Sequence, residues 1–226
     1  MKNSKKLIFF PILVNLRKLP CLVIGGGSVA LRKVTTLLNF KIGVTVIAPN
    51  ICKPLKELSK KNEIKIIQKS YHKDLLKKFD IIFCATDNPQ INQTVSKDCK
   101  NENKLLNVAD VPELCDFILP AVVKRGDLTI SVSSQGSAPF YAKEIKNKLN
   151  HIFPSYYEDI IKLAGDYRKM VLKSEKLKSP KDKEKAFSNF FLIDWQKVIT
   201  TEGKKKANEY LHNLCNELTE DPEKKI

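Results

Sequence analysis

Between Cys21 and Asn107 the chain alternates short, almost wholly apolar runs with longer stretches in which apolar side chains recur every three or four positions. Five runs have the length and β-branched content of buried strands: Leu22-Val23-Ile24, Val44-Thr45-Val46-Ile47, Ile64-Lys65-Ile66-Ile67, Asp80-Ile81-Ile82-Phe83-Cys84 and Leu105-Leu106-Asn107-Val108. Between them, residues 29–40, 53–61 and 91–101 have helical spacing. Two parallel strands can be joined only by a long crossover, so this alternation predicts a parallel sheet with helices on both faces.

After Asp110 the rhythm changes. Residues 117–123 and 128–133 predict two further strands around a turn at Arg125-Gly126-Asp127, and Pro139 opens a helix to about residue 150. Beyond Pro154 only helical pattern remains: residues 156–173, a Lys-rich linker around Ser179-Pro180, residues 184–200 and residues 204–218. The chain therefore divides into residues 1–112, a mixed segment 113–150 and a helical region 151–226.

The sharpest local signal is Gly25-Gly26-Gly27-Ser28-Val29-Ala30, which follows an expected strand and opens an expected helix. It fits the pattern G-x-G-x-x-A, in which Gly25 permits a tight turn, Gly27 lets backbone approach a pyrophosphate and Ala30 lets helix pack on strand. Unpaired N–H groups and the positive end of the helix dipole would then face the phosphates. The fold class this predicts is α/β, a Rossmann-like doubly wound parallel sheet. A tight turn in a doubly wound fold that binds nothing is the plainer alternative. The acidic residue that ordinarily holds the adenosine ribose at the end of the second strand is missing, and Ala48-Pro49-Asn50 stands in its place.

Two more strand ends fall on the same carboxyl edge, where such sheets bind ligands. Thr86 and Asp87 follow the fourth strand, although Asp87 or Asn88 before Pro89 would also cap a helix. Asp110 follows the fifth, before Pro112. A carboxylate there is suited to take a proton while hydride leaves for a nicotinamide, and equally suited to forming a turn. Ser131 to Pro139 reads either as an anion cradle or as ordinary loop and capping chemistry.

Composition narrows the partners. The 226 residues carry 40 Lys and Arg against 25 Asp and Glu, a net charge of +15, and residues 1–150 hold 25 of the basic and 12 of the acidic side chains. Only Arg17, Arg32, Arg125 and Arg168 are Arg, whereas a nucleic-acid face leans on the guanidinium fork. With no helix-turn-helix, zinc-finger or aromatic-strand signature, nucleic acid is not an expected partner. Six cysteines without a CxxC pair, and His72, His151 and His212 far apart, argue against a metal site or a disulfide framework and for a reducing cytoplasm. Lys2, Lys5 and Lys6 before an apolar run superficially suggest a secretion signal. Pro11, Asn15 and Arg17-Lys18 interrupt that run, and no later stretch is long enough to span a membrane.

Taken in order, several segments resemble the precorrin-2 dehydrogenase family, the enzymes that make sirohydrochlorin for siroheme and form the N-terminal module of siroheme synthases. They are Phe10-Pro11-Ile12 to Leu16, Leu22 to Lys33 around the glycine loop, Val44 to Pro49, Ala85-Thr86-Asp87, Asn107-Val108-Ala109-Asp110-Val111-Pro112, Cys115-Asp116-Phe117-Ile118-Leu119-Pro120-Ala121, and the loop from Ser131 to Pro139. The resemblance implies NAD as hydride acceptor and assigns Ser28, Val29, Pro49 and Asn50 to contact with it, beside Gly25, Gly27 and Ala30 of the glycine motif and Thr86 and Asp87 on the sheet edge. It implies Asp110 as the catalytic carboxylate, and Asn107, Ser134 and Gly136 at the site of the tetrapyrrole precorrin-2, whose acetate and propionate groups suit a basic protein. It makes residues 1–112 the cofactor domain and residues 113–150 a dimerisation and substrate segment of a homodimer. Some members of the family also insert ferrous iron into sirohydrochlorin. The competing reading is a module that binds NAD as a redox or ligand sensor and performs no chemistry.

Overall fold

The computed structural model describes residues 8–216. Lys2, Lys5 and Lys6, and the end of the last expected helix at Leu218, lie outside the described residues. Two compact units are present, one reaching to Leu119 and the other beginning at Pro120.

The first unit is a five-stranded sheet of β1 (Cys21–Ile24), β2 (Val44–Ile47), β3 (Lys65–Ile67), β4 (Ile81–Cys84) and β5 (Leu105–Val108), in the order β3-β2-β1-β4-β5. Every pairing is parallel. Helices α1 (Ser28–Asn39), α2 (Lys53–Lys60) and α3 (Pro89–Asn101) make the crossovers, with a 3-10 turn, Lys73–Lys78, before β4. The five apolar runs all become strands because both faces of the sheet are covered. Cys21, Val23, Val44, Val46, Ile81 and Phe83 pack on one side with Ala30, Val34 and Leu37 of α1. Leu22, Ile24, Ile47, Ile82, Cys84, Leu106 and Val108 pack on the other with Val95 and Cys99 of α3.

The register places the ends of four strands level. Ile24 pairs with Ile47 and with Cys84, and Cys84 pairs with Val108. Gly25, Ala48, Ala85 and Ala109 therefore start four loops along one edge.

The outer edge of β5 is closed by its own downstream chain. Leu106 donates its N–H to Asp116 Oδ2 at 2.9 Å and accepts the Asp116 N–H at 2.8 Å. Two residues on, Val108 donates its N–H to Cys115 Sγ at 3.1 Å, and the thiol donates to Val108 O at 3.2 Å. This strap corrects the expectation of a strand over residues 117–123. Phe117 turns its ring edge onto Phe83, 5.5 Å between centroids, and the strand begins only at Ala121, after Pro120.

The second unit holds an antiparallel hairpin, β6 (Ala121–Arg125) and β7 (Leu128–Val132), followed by α4 (Pro139–Ile152), α5 (Tyr157–Lys173), α6 (Pro180–Phe190), α7 (Trp195–Lys197) and α8 (Gly203–Asn216). Ser179-Pro180 is not a linker. Ser179 and Asp182 form a reciprocal capping box that starts α6. Nor is residues 184–200 one helix: α6 stops at Phe190, Asp194 caps α7, and a π-helical turn, Val198–Glu202, leads to α8. The break is stabilised by Trp195, which stacks on Phe190 and donates its indole N–H to the Phe190 carbonyl at 2.7 Å, pairing a group the helix end leaves free. Among the described residues no helix is long and apolar enough to cross a membrane.

The strap on β5 yields a prediction. Asp116→Ala removes a charged acceptor from the Leu106 amide and should cost about 1–2 kcal/mol. The urea midpoint should fall and the Leu106 amide should exchange faster with solvent. An unchanged Leu106 exchange rate would show that the strap does not hold the edge.

Candidate functional site

The glycine loop is held by contacts that admit no side chain. Gly25 has φ +126°, and a β-carbon there would lie 2.2 Å from the Ala85 carbonyl oxygen. One at Gly26 would lie 2.0 Å from the Asn50 carbonyl oxygen. Gly25 N–H donates to Ile47 O at 2.9 Å, Cys52 N–H to Gly26 O at 2.9 Å, and Ala85 N–H to Ile24 O at 2.7 Å. The loops after β1, β2 and β4 are thus tied together by main-chain atoms. Gly27 differs from its two neighbours, because a β-carbon there would meet nothing within 4 Å. It is the N-cap of α1, with no side chain capping the helix. Ala30 is fully buried against the sheet.

This arrangement fits a nucleotide pyrophosphate. The first turn of α1 opens onto the space above Gly27, and a helix N-terminus attracts anions through its N–H groups and dipole. Ser28 is exposed and Val29 partly so, while Pro49 and Asn50 are exposed on the next loop. The Pro49 carbonyl is engaged by Gln68 Nε2 at 3.2 Å, which steadies that loop where an acidic ribose ligand is lacking.

After β4 the two readings of Thr86 to Asn88 separate. Asn88 is the cap of α3, its Oδ1 accepting the N–H groups of Gln90 and Ile91, so Asp87 stays exposed on the edge without capping duty. Thr86 is committed inward: its hydroxyl donates to Asn92 Oδ1 at 2.7 Å, and Asn92 Nδ2 returns a bond to Thr86 O at 3.2 Å. Asn92 is buried, and the sequence reading missed it. Its signal was a polar residue on the buried stripe of α3 with Val95 and Cys99.

Asp110 is exposed and takes φ +61°, a left-handed backbone that Asp tolerates better than most side chains. Such strain is usually found where structure over-determines it and function uses it. Here the loop is pinned from both ends, by Ala109 N–H on Cys84 O at 2.8 Å and by the Cys115 thiol, which also reaches Val111 O at 3.4 Å.

Asn107 is only 4% exposed, and both ends of its amide are engaged. Nδ2 donates to Phe117 O at 2.9 Å and Oδ1 accepts from Lys33 Nζ at 2.9 Å. Asn107, expected beside the substrate, thus forms a bracket beneath the edge. Burial holds the Lys33 pKa below the ordinary lysine value; Arg32 lowers it further, while Cys115 and Asp110 act in the opposite direction. Ser134 and Gly136 lie in the second unit, on the loop after β7, where Gln135 and Gly136 have φ +56° and +82°. Ser134 Oγ accepts the Ala138 N–H at 2.9 Å, and Gly136 is exposed.

All six cysteines are free, and burial pushes the Cys21 and Cys84 thiols up to about 11. Among the described residues no group of three or more His, Cys, Asp or Glu is placed to hold a metal ion.

Residues 12–121 match the model of a family described as putative NAD(P)-binding. The chain is 38% identical over 184 residues to a siroheme synthase of Ruthia magnifica subsp. Calyptogena magnifica, covering 80% of this chain and 39% of that protein. A siroheme synthase of Pseudoalteromonas translucida is 31% identical over 212 residues, covering 94% of this chain and 44% of that protein. The chain thus spans less than half the length of these curated relatives. Among solved structures, the precorrin-2 dehydrogenase SirC superimposes with a TM-score of 0.70 over 91% of this chain and 100% of that one, at 22% identity, which establishes a shared fold.

The glycines separate fold from ligand. Gly26→Ala drives a β-carbon into the Asn50 carbonyl and should lower the melting temperature by several degrees or prevent folding. A β-carbon at Gly27 meets no protein atom within 4 Å, so Gly27→Val should leave melting of the free protein nearly unchanged while weakening NAD about tenfold or more, measured by titration calorimetry. Wild-type affinity in Gly27→Val would mean that the loop is only structural.

Proposed function

We propose, from the match of residues 12–121 to a putative NAD(P)-binding family and from the similarity to siroheme synthases, that the chain is an NAD-dependent precorrin-2 dehydrogenase producing sirohydrochlorin. The observation that carries the reading is Asp110, exposed and backbone-strained, on the sheet edge that also carries the open glycine loop. When bound, NAD supplies the hydride acceptor.

The chain's own residues do the rest. The uncapped start of α1 and the open space at Gly27 receive the pyrophosphate, on a turn that Gly25 and Gly26 allow, with Ser28 and Val29 beside it and Pro49 and Asn50 on the ribose side. Asp87 lies on the same edge and Thr86 fixes its loop through Asn92. Asp110 accepts the proton that leaves the macrocycle as a hydride departs, so that two electrons and two hydrogens are removed and conjugation extends. Ser134 and Gly136 are the further residues for which the family resemblance implies contact with the tetrapyrrole. The basic surface of residues 1–150 draws in a substrate rimmed with carboxylates.

The working form is a homodimer in a reducing cytoplasm. Supporting the dimer, the β6–β7 sheet has only two strands, fewer than a stable independent sheet needs, and Phe140 and Tyr141 are 76% and 57% exposed on the first turn of α4. Light scattering at micromolar concentration should give the mass of two chains. A single-chain mass would remove the dimer from the account.

Asp110→Asn is the direct test of the chemistry. Wild-type protein incubated with precorrin-2 and NAD should develop the sirohydrochlorin spectrum, and the variant should be slower by about a hundredfold or more while binding NAD as before. Turnover unchanged in Asp110→Asn would refute the role of this carboxylate. Wild-type protein that binds NAD and converts nothing would favour the sensor module.

A further inference from the structure

The loop between β4 and α3 is fixed on both sides of Asp87, and Asn92 does most of the fixing. Asn92 lies near the start of α3 and is only 6% exposed. Its Oδ1 accepts the Cys84 thiol at 3.2 Å and the Thr86 hydroxyl at 2.7 Å, and its Nδ2 donates to the Thr86 carbonyl at 3.2 Å. The Ala85 carbonyl oxygen is packed against Gly25, 2.2 Å from where a β-carbon would stand. On the other side, the Asn88 side chain is committed to the N–H groups of Gln90 and Ile91. Asp87 is therefore presented by a held backbone. Its own side chain is exposed, and among the described residues no cation comes within ion-pair distance of it.

Asp87 is also the one acidic residue in the loops that follow β1, β2 and β4, which are Gly25 to Gly27, Ala48 to Cys52 and Ala85 to Asn88. A carboxylate has only acceptors, so it repels a phosphate, whereas a sugar diol offers it two O–H donors. The sheet order puts β4 on the far side of β1 from β2, and the loops after β1 and β4 lead to helices on opposite faces. This is the switch point at which such sheets lay a dinucleotide across their carboxyl edge. We propose that Asp87 binds the diol of the nicotinamide ribose, and that Asn92 is a positioning residue that presents this carboxylate through Thr86. With the pyrophosphate at Gly27 and adenosine on the Pro49 and Asn50 side, the second ribose belongs over β4, one strand spacing of ~4.8 Å from β1, and the nicotinamide beyond it toward Asp110 after β5. The carboxylate missing from the adenosine side is supplied on the nicotinamide side, where it orients the ring that must receive hydride.

The inference rests on NAD as the cofactor, and its test needs no turnover. Titration calorimetry compares NAD, ADP-ribose, which keeps the second ribose, and ADP, which lacks it. Asp87→Ala should weaken NAD and ADP-ribose about tenfold or more, the loss expected of charge-assisted hydrogen bonds, and leave ADP within about twofold. Thr86→Val keeps the shape and removes the hydroxyl held by Asn92, so it should weaken NAD about threefold or more and spare ADP, while Thr86→Ser should bind NAD as the wild type does. Asn92→Leu removes all three contacts at similar volume and should show the same loss of NAD relative to ADP; should it fail to fold, the Thr86 pair carries the test. Unchanged NAD affinity in Asp87→Ala would overturn the proposal, and so would equal losses for NAD and ADP, which mark a general disturbance of the edge. Wild-type NAD affinity in Thr86→Val, or in folded Asn92→Leu, would overturn the positioning role. Wild-type protein that binds neither NAD nor ADP would instead overturn the cofactor reading.

Discussion

Gly26 approaches the carbonyl of Asn50, and Gly25 that of Ala85, so closely that no side chain fits at either place. Everything else at the edge of the sheet depends on this. Because the loops after β1, β2 and β4 touch through main-chain atoms, their relative positions are set by hydrogen bonds among Gly25, Ile47, Cys52, Gly26, Ala85 and Ile24 rather than by adaptable side chains. Level strand ends then carry the same precision across to β5 and Asp110. A site built this way has little to reorganise when an anion arrives, and such preorganisation is what makes fixed dipoles effective.

Beneath that edge lies a second layer of polar contacts inside the core. Asn92 holds Thr86, Cys115 holds Val108 and Val111, and Asn107 joins Lys33 to Phe117. No buried side-chain nitrogen or oxygen among the described residues lacks a partner. Each of these groups keeps a loop at the sheet edge from relaxing, which explains polar side chains on faces otherwise given to aliphatic packing. It also narrows the meaning of the net charge. Most lysines are a solvated surface that raises the local concentration of anions, whereas Lys33 is half-buried at a defined point.

The first unit was legible in the sequence because its strands are buried on both faces, so apolar runs and strands coincide almost residue for residue. The glycine loop was legible in kind, and the structure redistributes its roles: Gly26 carries a steric demand as severe as that at Gly25, and Gly27 supplies the open space. The burial of Asn107 was not legible, because a polar residue on a strand end can face a ligand or the core, and its bond to the Phe117 carbonyl exists only in the fold. In the helical region the pattern of residues 184–200 hid a break, since Phe190, Trp195, Val198 and Ile199 all enter one core although they belong to separate helical segments. Ser179 and Asp182 announced a helix start that the surrounding lysines masked. Lys33 and Asn92 had a readable signal, a polar side chain on a buried helical stripe, but their partners are brought together only by the fold.

The central claim is that this edge carries out a stoichiometric transfer of hydride from a tetrapyrrole to NAD. The most direct measurement is an anaerobic incubation of the purified chain with precorrin-2 and NAD, following NADH and sirohydrochlorin together. The account predicts one NADH for each sirohydrochlorin formed, and no sirohydrochlorin beyond the protein-free rate when NAD is withheld. Sirohydrochlorin appearing equally fast without NAD, or NAD bound with neither product formed, would contradict it.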